Sequence, residues 1–238
     1  MLKTAVVTGA SRGIGFEIAK TLAADGYQVA CIARTESKAV RELKQNKNAV
    51  FSSADLTDTA KLTVLAQEIL EQMGHVDALV HCAGAACHGL FQEISVSSRQ
   101  NLYALNLTAP VELSRLLLPS MIRRHSSNIL CVSSVWGEIG ASCEVDYSVT
   151  KGALLAFVKA LAKEVGLSGI RVNAVSPGTI LTDMTKPLGE ETLRDLADET
   201  ALGRLGTPAD VAGVVQFLLS GRAGYITGQN ISVNGGFF

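Results

Sequence analysis

Short apolar and β-branched runs alternate along the chain with longer stretches in which apolar positions recur every three or four residues. TAVVTG (4–9), QVACIAR (28–34), AVFSSADL (49–56), VDALVHCAG (76–84), SNILCVSS (127–134), IRVNAVSPG (170–178) and NISVNGG (230–236) read as strands. Ile14, Ile18 and Leu22 predict a helix over 13–25, a charged helix follows the second strand, and Leu62, Leu65, Ile69 and Met73 mark another over 59–73. A long helix over 98–124 is expected to kink or break at Pro110. The helix that opens with Tyr147 carries Leu154, Phe157 or Val158, Leu161 and Val165 on one face. Such alternation predicts right-handed βαβ crossovers and a parallel sheet. With no linker, repeat or low-complexity segment, residues 1–238 read as one α/β domain, a doubly wound sheet flanked by helices on both faces.

Composition agrees: 47% of the residues are hydrophobic and only 5% aromatic, which suits a buried parallel sheet. A net charge of −1 with no basic stripe argues against nucleic acid as the main partner. The cluster Arg123-Arg124-His125 reads as an exposed helix end. The opening MLKTAVVTGASRG turns polar too soon for a secretory segment, and no run of about eighteen apolar residues suggests a membrane span. Five cysteines without a CxxC point to a reducing, cytoplasmic setting.

Candidate chemistry begins at TGASRGIG (8–15), between the first strand and the first helix. Gly9, Gly13 and Gly15 allow left-handed backbone or close approach, and free N–H groups at the helix start face an anion such as a pyrophosphate. That placement makes the domain a Rossmann-like dinucleotide binder, although the spacing is G-x-x-x-G-x-G and not G-x-G-x-x-G. The second strand ends Ala33-Arg34 where NAD sites commonly carry an acid. Arg12 and Arg34 together suit a ribose 2′-phosphate, so NADP(H) is the expected cofactor, with Glu36 as the residue that speaks for NAD.

Tyr147 and Lys151 stand one helical turn apart. With Gly9, Gly13 and Gly15, Ala83-Gly84, Asn106, Ser134 and Pro177-Gly178 in order, they make the chain resemble the short-chain dehydrogenase/reductase family over essentially its full length. Within that family it looks most like the β-ketoacyl-acyl-carrier-protein reductases, down to the closing YITGQNISVNGG. The resemblance implies NADPH-dependent reduction of a ketone to a secondary alcohol. Tyr147 would be the general acid and Lys151 the cation that lowers its pKa and holds the nicotinamide ribose. Ser134 would donate to the carbonyl oxygen, and Asn106 would hold a water that leads from Lys151 to solvent. Strand alternation turns Ser133 to the opposite face, which selects Ser134. Ser11, Arg12, Gly13 and Ile14 of the turn, Arg34, Asp55, Leu56, Ala83, Gly84, Pro177, Gly178, Ile180 and Thr182 would line the cofactor. Asp55 would accept from the adenine amino group or, alternatively, cap the next helix. Residues 179–193 would form a mobile lid, and the helices over 98–124 and 147–167 resemble the pair that builds the family's homotetramers.

Three departures qualify the resemblance. The family's usual Asn-Asn-Ala-Gly is replaced by His81-Cys82-Ala83-Gly84, which puts side-chain ties between strands in doubt. The segment HCAGAACH (81–88) invites a zinc reading, set aside because alternation sends His81 and Cys82 to opposite faces. A basic residue often found before the Gly-Ile of the sixth strand, useful for docking an acidic carrier protein, is Ser168 here, with Arg123, Arg124 and Arg171 as possible substitutes. The loop SSVWGEIGASCEVDYS (133–148), with Trp136, Glu138, Cys143 and Glu144, resembles a bacterial branch that reduces the 5-aminopentanone modification on a lysine of elongation factor P. Glu138 or Glu144 would suit a substrate with a terminal amine. A non-catalytic NADP(H)-binding regulator on the same fold is the contrasting reading, and it has no need of Tyr147.

Overall fold

The computed structural model describes residues 2–45 and 48–238. The parallel strands β1 (Lys3–Thr8), β2 (Tyr27–Ala33), β3 (Ala49–Ser53), β4 (Ala78–His81), β5 (Ser127–Val132), β6 (Ile170–Pro177) and β7 (Asn230–Val233) pair in the order β3-β2-β1-β4-β5-β6-β7. The chain therefore reverses its direction of travel between β1 and β4. That is the switch point where open α/β sheets bind ligands beyond their strand ends.

Alternation along each strand feeds two apolar layers. Val7 and Val29 face α1 (Gly13–Ala24) through Ile18 and Leu22, and α9 (Pro208–Leu219) through Val211 and Val215. Val6, Leu79 and Ile129 face the other way. They meet Leu65 and Ile69 of α3 (Leu62–Met73), Leu113 and Leu117 of α5 (Ala109–Arg124), and Leu154 and Val158 of α7 (Val145–Val165). Helix α2 (Lys38–Gln45) covers the β2–β3 crossover. The doubly wound reading of the hydrophobic pattern is correct.

The expected long helix over 98–124 is two helices. α4 (Val96–Tyr103) passes into a π turn over Ala104–Thr108 before α5 begins. Pro110 lies in the first turn of α5 and lacks the N–H that would return to Asn106 in an uninterrupted α-helix. The break thus falls at 104–108, and it points the fully buried Asn106 inward. Strands stop sooner than the pattern suggested: β3 at Ser53, β4 at His81 and β5 at Val132. Ala54–Leu56, Cys82–Gly84 and Ser133–Ser134 all lie where the chain leaves the sheet, which is where the site is built. Helix α9 was not anticipated, although Thr207 and Asp210 form a reciprocal capping box around Pro208. No helix among the described residues is long and apolar enough to cross a membrane.

Candidate active site

The glycine turn is shaped first by the chain itself. Gly9 has φ 70°, and a Cβ there would lie 2.8 Å from the Ala83 backbone. A Cβ on Gly15 would collide with the Gly9 carbonyl. Thr8 draws β4 alongside, its Oγ1 accepting the amides of Cys82 at 3.0 Å and Ala83 at 3.1 Å. Helix α1 then starts at Gly13 with Arg12 in extended backbone and no side chain capping the first amides. A Cβ on Gly13 would sit 3.5 Å from Thr182 Cγ2, so Thr182 arrives opposite these amides. Open N–H groups at the positive end of a helix, with an exposed Arg12 beside them, fit the pyrophosphate of a dinucleotide.

At the ribose end Arg34 is exposed just beyond β2, close enough to Asp55 to help hold its carboxyl below the usual range. The larger cause is Thr57, whose hydroxyl and amide both donate to Asp55 Oδ1, at 2.7 and 3.0 Å. Asp55 closes this turn and does not cap the next helical segment, which starts behind Asp58. Glu36 is paired with Lys44 at 2.7 Å, so its carboxylate is already engaged. Leu56 is buried beneath the turn.

The second half of the site gathers at Gly84. A Cβ on this glycine would lie 3.3 Å from Lys151 Nζ and 3.4 Å from Asn106 Oδ1, so the cradle exists only because the residue is bare. Asn106 Oδ1 accepts the Ala85 amide at 3.0 Å, while its Nδ2 donates to the Ala85 carbonyl at 2.9 Å and to Thr150 Oγ1 at 3.2 Å. Lys151 Nζ donates to the Val132 carbonyl at 2.8 Å and lies 5.7 Å from the centre of the Tyr147 ring. Ser134 hydrogen-bonds the Tyr147 phenol and accepts the Trp136 amide at 3.2 Å. Ser133 Oγ donates instead to the Lys151 carbonyl at 2.9 Å. Strand alternation does not separate the two serines, since both lie past the end of β5; their hydrogen bonds do.

Burial dominates the electrostatics. It pushes the Tyr147 phenol up to about 12, the Ser134 hydrogen bond pulling down against it and Glu144 and Cys82 adding upward pressure. Burial likewise lowers the pKa of Lys151. The expectation that Lys151 lowers the tyrosine's pKa is thus not met in the cofactor-free chain. Glu144 is half-buried and its carboxyl is raised by burial, with His88 acting in the opposite sense. Glu138 accepts a hydrogen bond from Ser232 at 2.8 Å.

Pro177 receives the Val135 amide at 3.1 Å, and Gly178 packs against Asn234, where a Cβ would lie 3.0 Å away. Ile180 is buried and bridges to Gly206. Thr185 Oγ1 closes the next turn, donating to the Ile180 carbonyl and accepting the Thr182 amide. The expected lid over 179–193 is therefore pinned at its near end, and α8 (Glu190–Asp198) begins inside it. Thr8, Ala85 and Thr150 were not singled out from sequence. Thr150 carried a signal, since it stands three residues after the candidate tyrosine and so on the same helix face. His81 Nε2 lies 2.8 Å from Ser114 Oγ on α5, so the imidazole ties sheet to helix.

A dinucleotide cradle at the switch point, joined to a Ser-Tyr-Lys-Asn cluster at the strand ends, defines a class of nicotinamide-dependent oxidoreductase. Comparison agrees. The family model described as enoyl-(acyl carrier protein) reductase matches residues 9–238. The chain is 44% identical over 243 residues to the uncharacterized oxidoreductase YmfI of Bacillus subtilis, covering 100% of this chain and 99% of that one. It is 37% identical to the 3-oxoacyl-[acyl-carrier-protein] reductase FabG of Staphylococcus aureus, with the same coverage. FabG of Escherichia coli is 36% identical over 99% of this chain and 97% of its own. The crystal structure of Cj0485 dehydrogenase superposes with a TM-score of 0.94 at 26% identity, over 99% of this chain and 94% of that one. The chain belongs to the short-chain dehydrogenase/reductase family, and it is an oxidoreductase acting on CH–OH and C=O groups.

Proposed function

We propose that the protein reduces a ketone to a secondary alcohol with NADPH, as a reductase of the 3-oxoacyl-[acyl-carrier-protein] type. The observation that carries this reading is the meeting of Lys151 Nζ and Asn106 Oδ1 over the bare Gly84, with Tyr147 and Ser134 beside them. The nicotinamide, when bound, supplies the hydride to the carbonyl carbon. Tyr147, a half-buried phenol whose pKa desolvation raises further, gives its proton to the carbonyl oxygen, and Ser134 donates a hydrogen bond to that oxygen as charge develops. Lys151 stabilises the phenolate left behind. Asn106's amide is fully engaged, so a water that returns the proton is held by its backbone carbonyl, whose helical donor Pro110 lacks. Arg12 and Arg34 would clamp the 2′-phosphate, and the Glu36–Lys44 pair removes the competing acid. Asp55 would face the adenine amino group. Ala83, Gly84, Pro177, Gly178, Ile180 and Thr182 would seat the nicotinamide half, and Gly9, Ser11, Gly13, Ile14 and Gly15 the pyrophosphate.

A carrier-bound substrate follows from the names of the FabG relatives. Arg124 and Arg171 give it little help. The first pairs with Asp77 at 2.9 Å, and the second donates to the Ser220 and Ile226 carbonyls. Glu144 favours a second reading, the aminopentanone on a lysine of elongation factor P: a half-buried carboxylate beside Tyr147 suits an ammonium. A cytoplasmic homotetramer built on α4, α5 and α7 accompanies either reading. The test is NADPH oxidation measured side by side with acetoacetyl thioesters and with aminopentanone-modified elongation factor P. Turnover of neither overturns the proposal, and turnover of the thioester alone removes the second reading. Tyr147→Phe should lose at least about 100-fold in kcat with NADPH binding retained, the scale of a lost general acid.

A further inference from the structure

The residues that follow Ser134 form the single-turn helix α6 (Trp136–Ile139), and the last stretch of the chain holds it at two points. Phe237 meets the Trp136 ring edge-on, with centroids 5.6 Å apart and planes at 78°. Ser232 Oγ donates to Glu138 Oε1 at 2.8 Å. Between these contacts the tail turns through Gly235 and Gly236, at φ 67° and 77°, and the Gly235 carbonyl accepts the Leu202 amide at 3.0 Å. On its other side α6 lies flush against the catalytic helix: a Cβ on Gly137 would come within 2.7 Å of the Lys151 carbonyl carbon. The Trp136 amide itself donates to Ser134 Oγ at 3.2 Å.

We infer that the segment 232–237 is a brace that positions Ser134, acting through the Phe237–Trp136 contact and the Ser232–Glu138 bond. The inference rests on Ser134 being the hydroxyl that meets the substrate oxygen. Phe237 is a positioning residue, since it touches Trp136 and not the reacting atoms. The physical basis is short-range. The backbone on either side of Ser134 is tied to β6, Ser133 donating to the Val175 carbonyl and Val135 to the Pro177 carbonyl. What remains to be aimed is the hydroxyl, which accepts the amide of Trp136, while the Trp136 ring is held by Phe237. An edge-to-face pair is directional and fixes that ring better than an aliphatic contact does.

Trp136 is the chain's single tryptophan, so its fluorescence reports the brace directly. The experiment compares Phe237→Ala, Phe237→Tyr and Ser232→Ala in the full chain, reading acrylamide quenching of Trp136, NADPH affinity, and kcat and KM on the ketone that the wild type turns over. Phe237→Ala should raise the quenching constant and lower kcat about tenfold with NADPH affinity unchanged. Phe237→Tyr should keep both near wild type, and Ser232→Ala should fall between. In a Ser134→Ala background Phe237→Ala should lose nothing further, because the effect runs through that hydroxyl. Should Phe237→Ala fail to fold, Phe237→Leu takes its place with the same expectations. Unchanged kcat in the truncated variant overturns the inference whatever the quenching does, as does a full tenfold loss on top of Ser134→Ala. A wild type inactive on every ketone would sink the proposed function instead, while the quenching series would still read the contact.

Discussion

The imidazole of His81 gives the protein an acid sensitivity that can be calculated. The ring is buried, its Nε2 is 2.8 Å from Ser114 Oγ, and its Nδ1 has no partner in the described structure. A protonated ring would need an acceptor at both nitrogens, and burial alone lowers its pKa to about 3. In the unfolded chain the same ring titrates near 6.5. The folded-state value is depressed, so the unfolded state binds more protons as pH falls, and stability present above about pH 6.5 is lost below it. Integrating the difference, the loss attributable to His81 between about pH 7 and pH 5 is about 2 kcal/mol, with a limiting slope of about 1.4 kcal/mol per pH unit. The carboxyls held below their usual range, Asp55, Asp183, Asp210 and Glu112, lose their contributions only at lower pH. Glu144, whose pKa is raised, works in the opposite direction. The assay is urea unfolding at the two pH values for wild type and His81→Asn, comparing the pH-dependent change and not absolute stability. The variant should lose about 2 kcal/mol less than wild type over this interval. An equal loss in both proteins would mean that the ring is solvated or finds a second partner, and the reasoning would be wrong.

On the proposed NADPH preference, Arg34→Ala should lower kcat/KM for NADPH by roughly tenfold or more while leaving that for NADH nearly unchanged, because only NADPH has a 2′-phosphate to lose. Steady-state kinetics with both cofactors checks this. Arg99→Met strips the buried Asp146 of its 3.0 Å ion pair and, among the described residues, leaves its side chain the Tyr103 hydroxyl at 3.3 Å. The expected loss is about 2–3 kcal/mol in urea unfolding, below the full cost for a buried pair because Arg99 is partly exposed. In the cofactor-free protein the Tyr147 phenol should titrate near 12, read as the tyrosinate absorbance missing from Tyr147→Phe. Tyrosinate at neutral pH would show that Lys151 outweighs burial.

Sheet, crossovers and glycine turn could be read from the sequence because each is a local pattern. Apolar runs bounded by Gly, Asp or Ser announce β1 to β7, and Gly9 to Gly15 sit between a strand and an amphipathic start. Helix α9 escaped because VAGVVQFLL is apolar nearly all round, with no polar face to set the period, and only Thr207-Pro208-Ala209-Asp210 marks its beginning. The π turn escaped for a different reason. A proline in a helix announces a break, but whether it falls at the proline or a turn earlier is decided by packing, here the need to bring Asn106 against Ala85 and Thr150. The side-chain partners of Trp136, Glu138 and His81 lie 33 or more residues away in sequence, and no local pattern reports such pairs.

The coupling between Tyr147 and Lys151 shows most clearly what a motif leaves unsaid. One turn of helix does bring the ammonium near the ring, at 5.7 Å from its centre. Yet the ammonium's hydrogen bond goes to the Val132 carbonyl, and desolvation drives the buried Lys151 and the half-buried Tyr147 each toward its neutral form. A phenol with its pKa raised is a full proton reservoir and a poor donor to water, which suits a site that should not release its proton before a substrate arrives. In the proposed reaction an oxyanion growing within reach of Tyr147 and Ser134 would reverse the balance. The developing charge would itself be the base, and proton transfer would move negative charge onto a phenolate near the Lys151 ammonium in a medium of low dielectric. On that proposal burial and cation act at different moments, the first retaining the proton and the second stabilising what remains once it has gone.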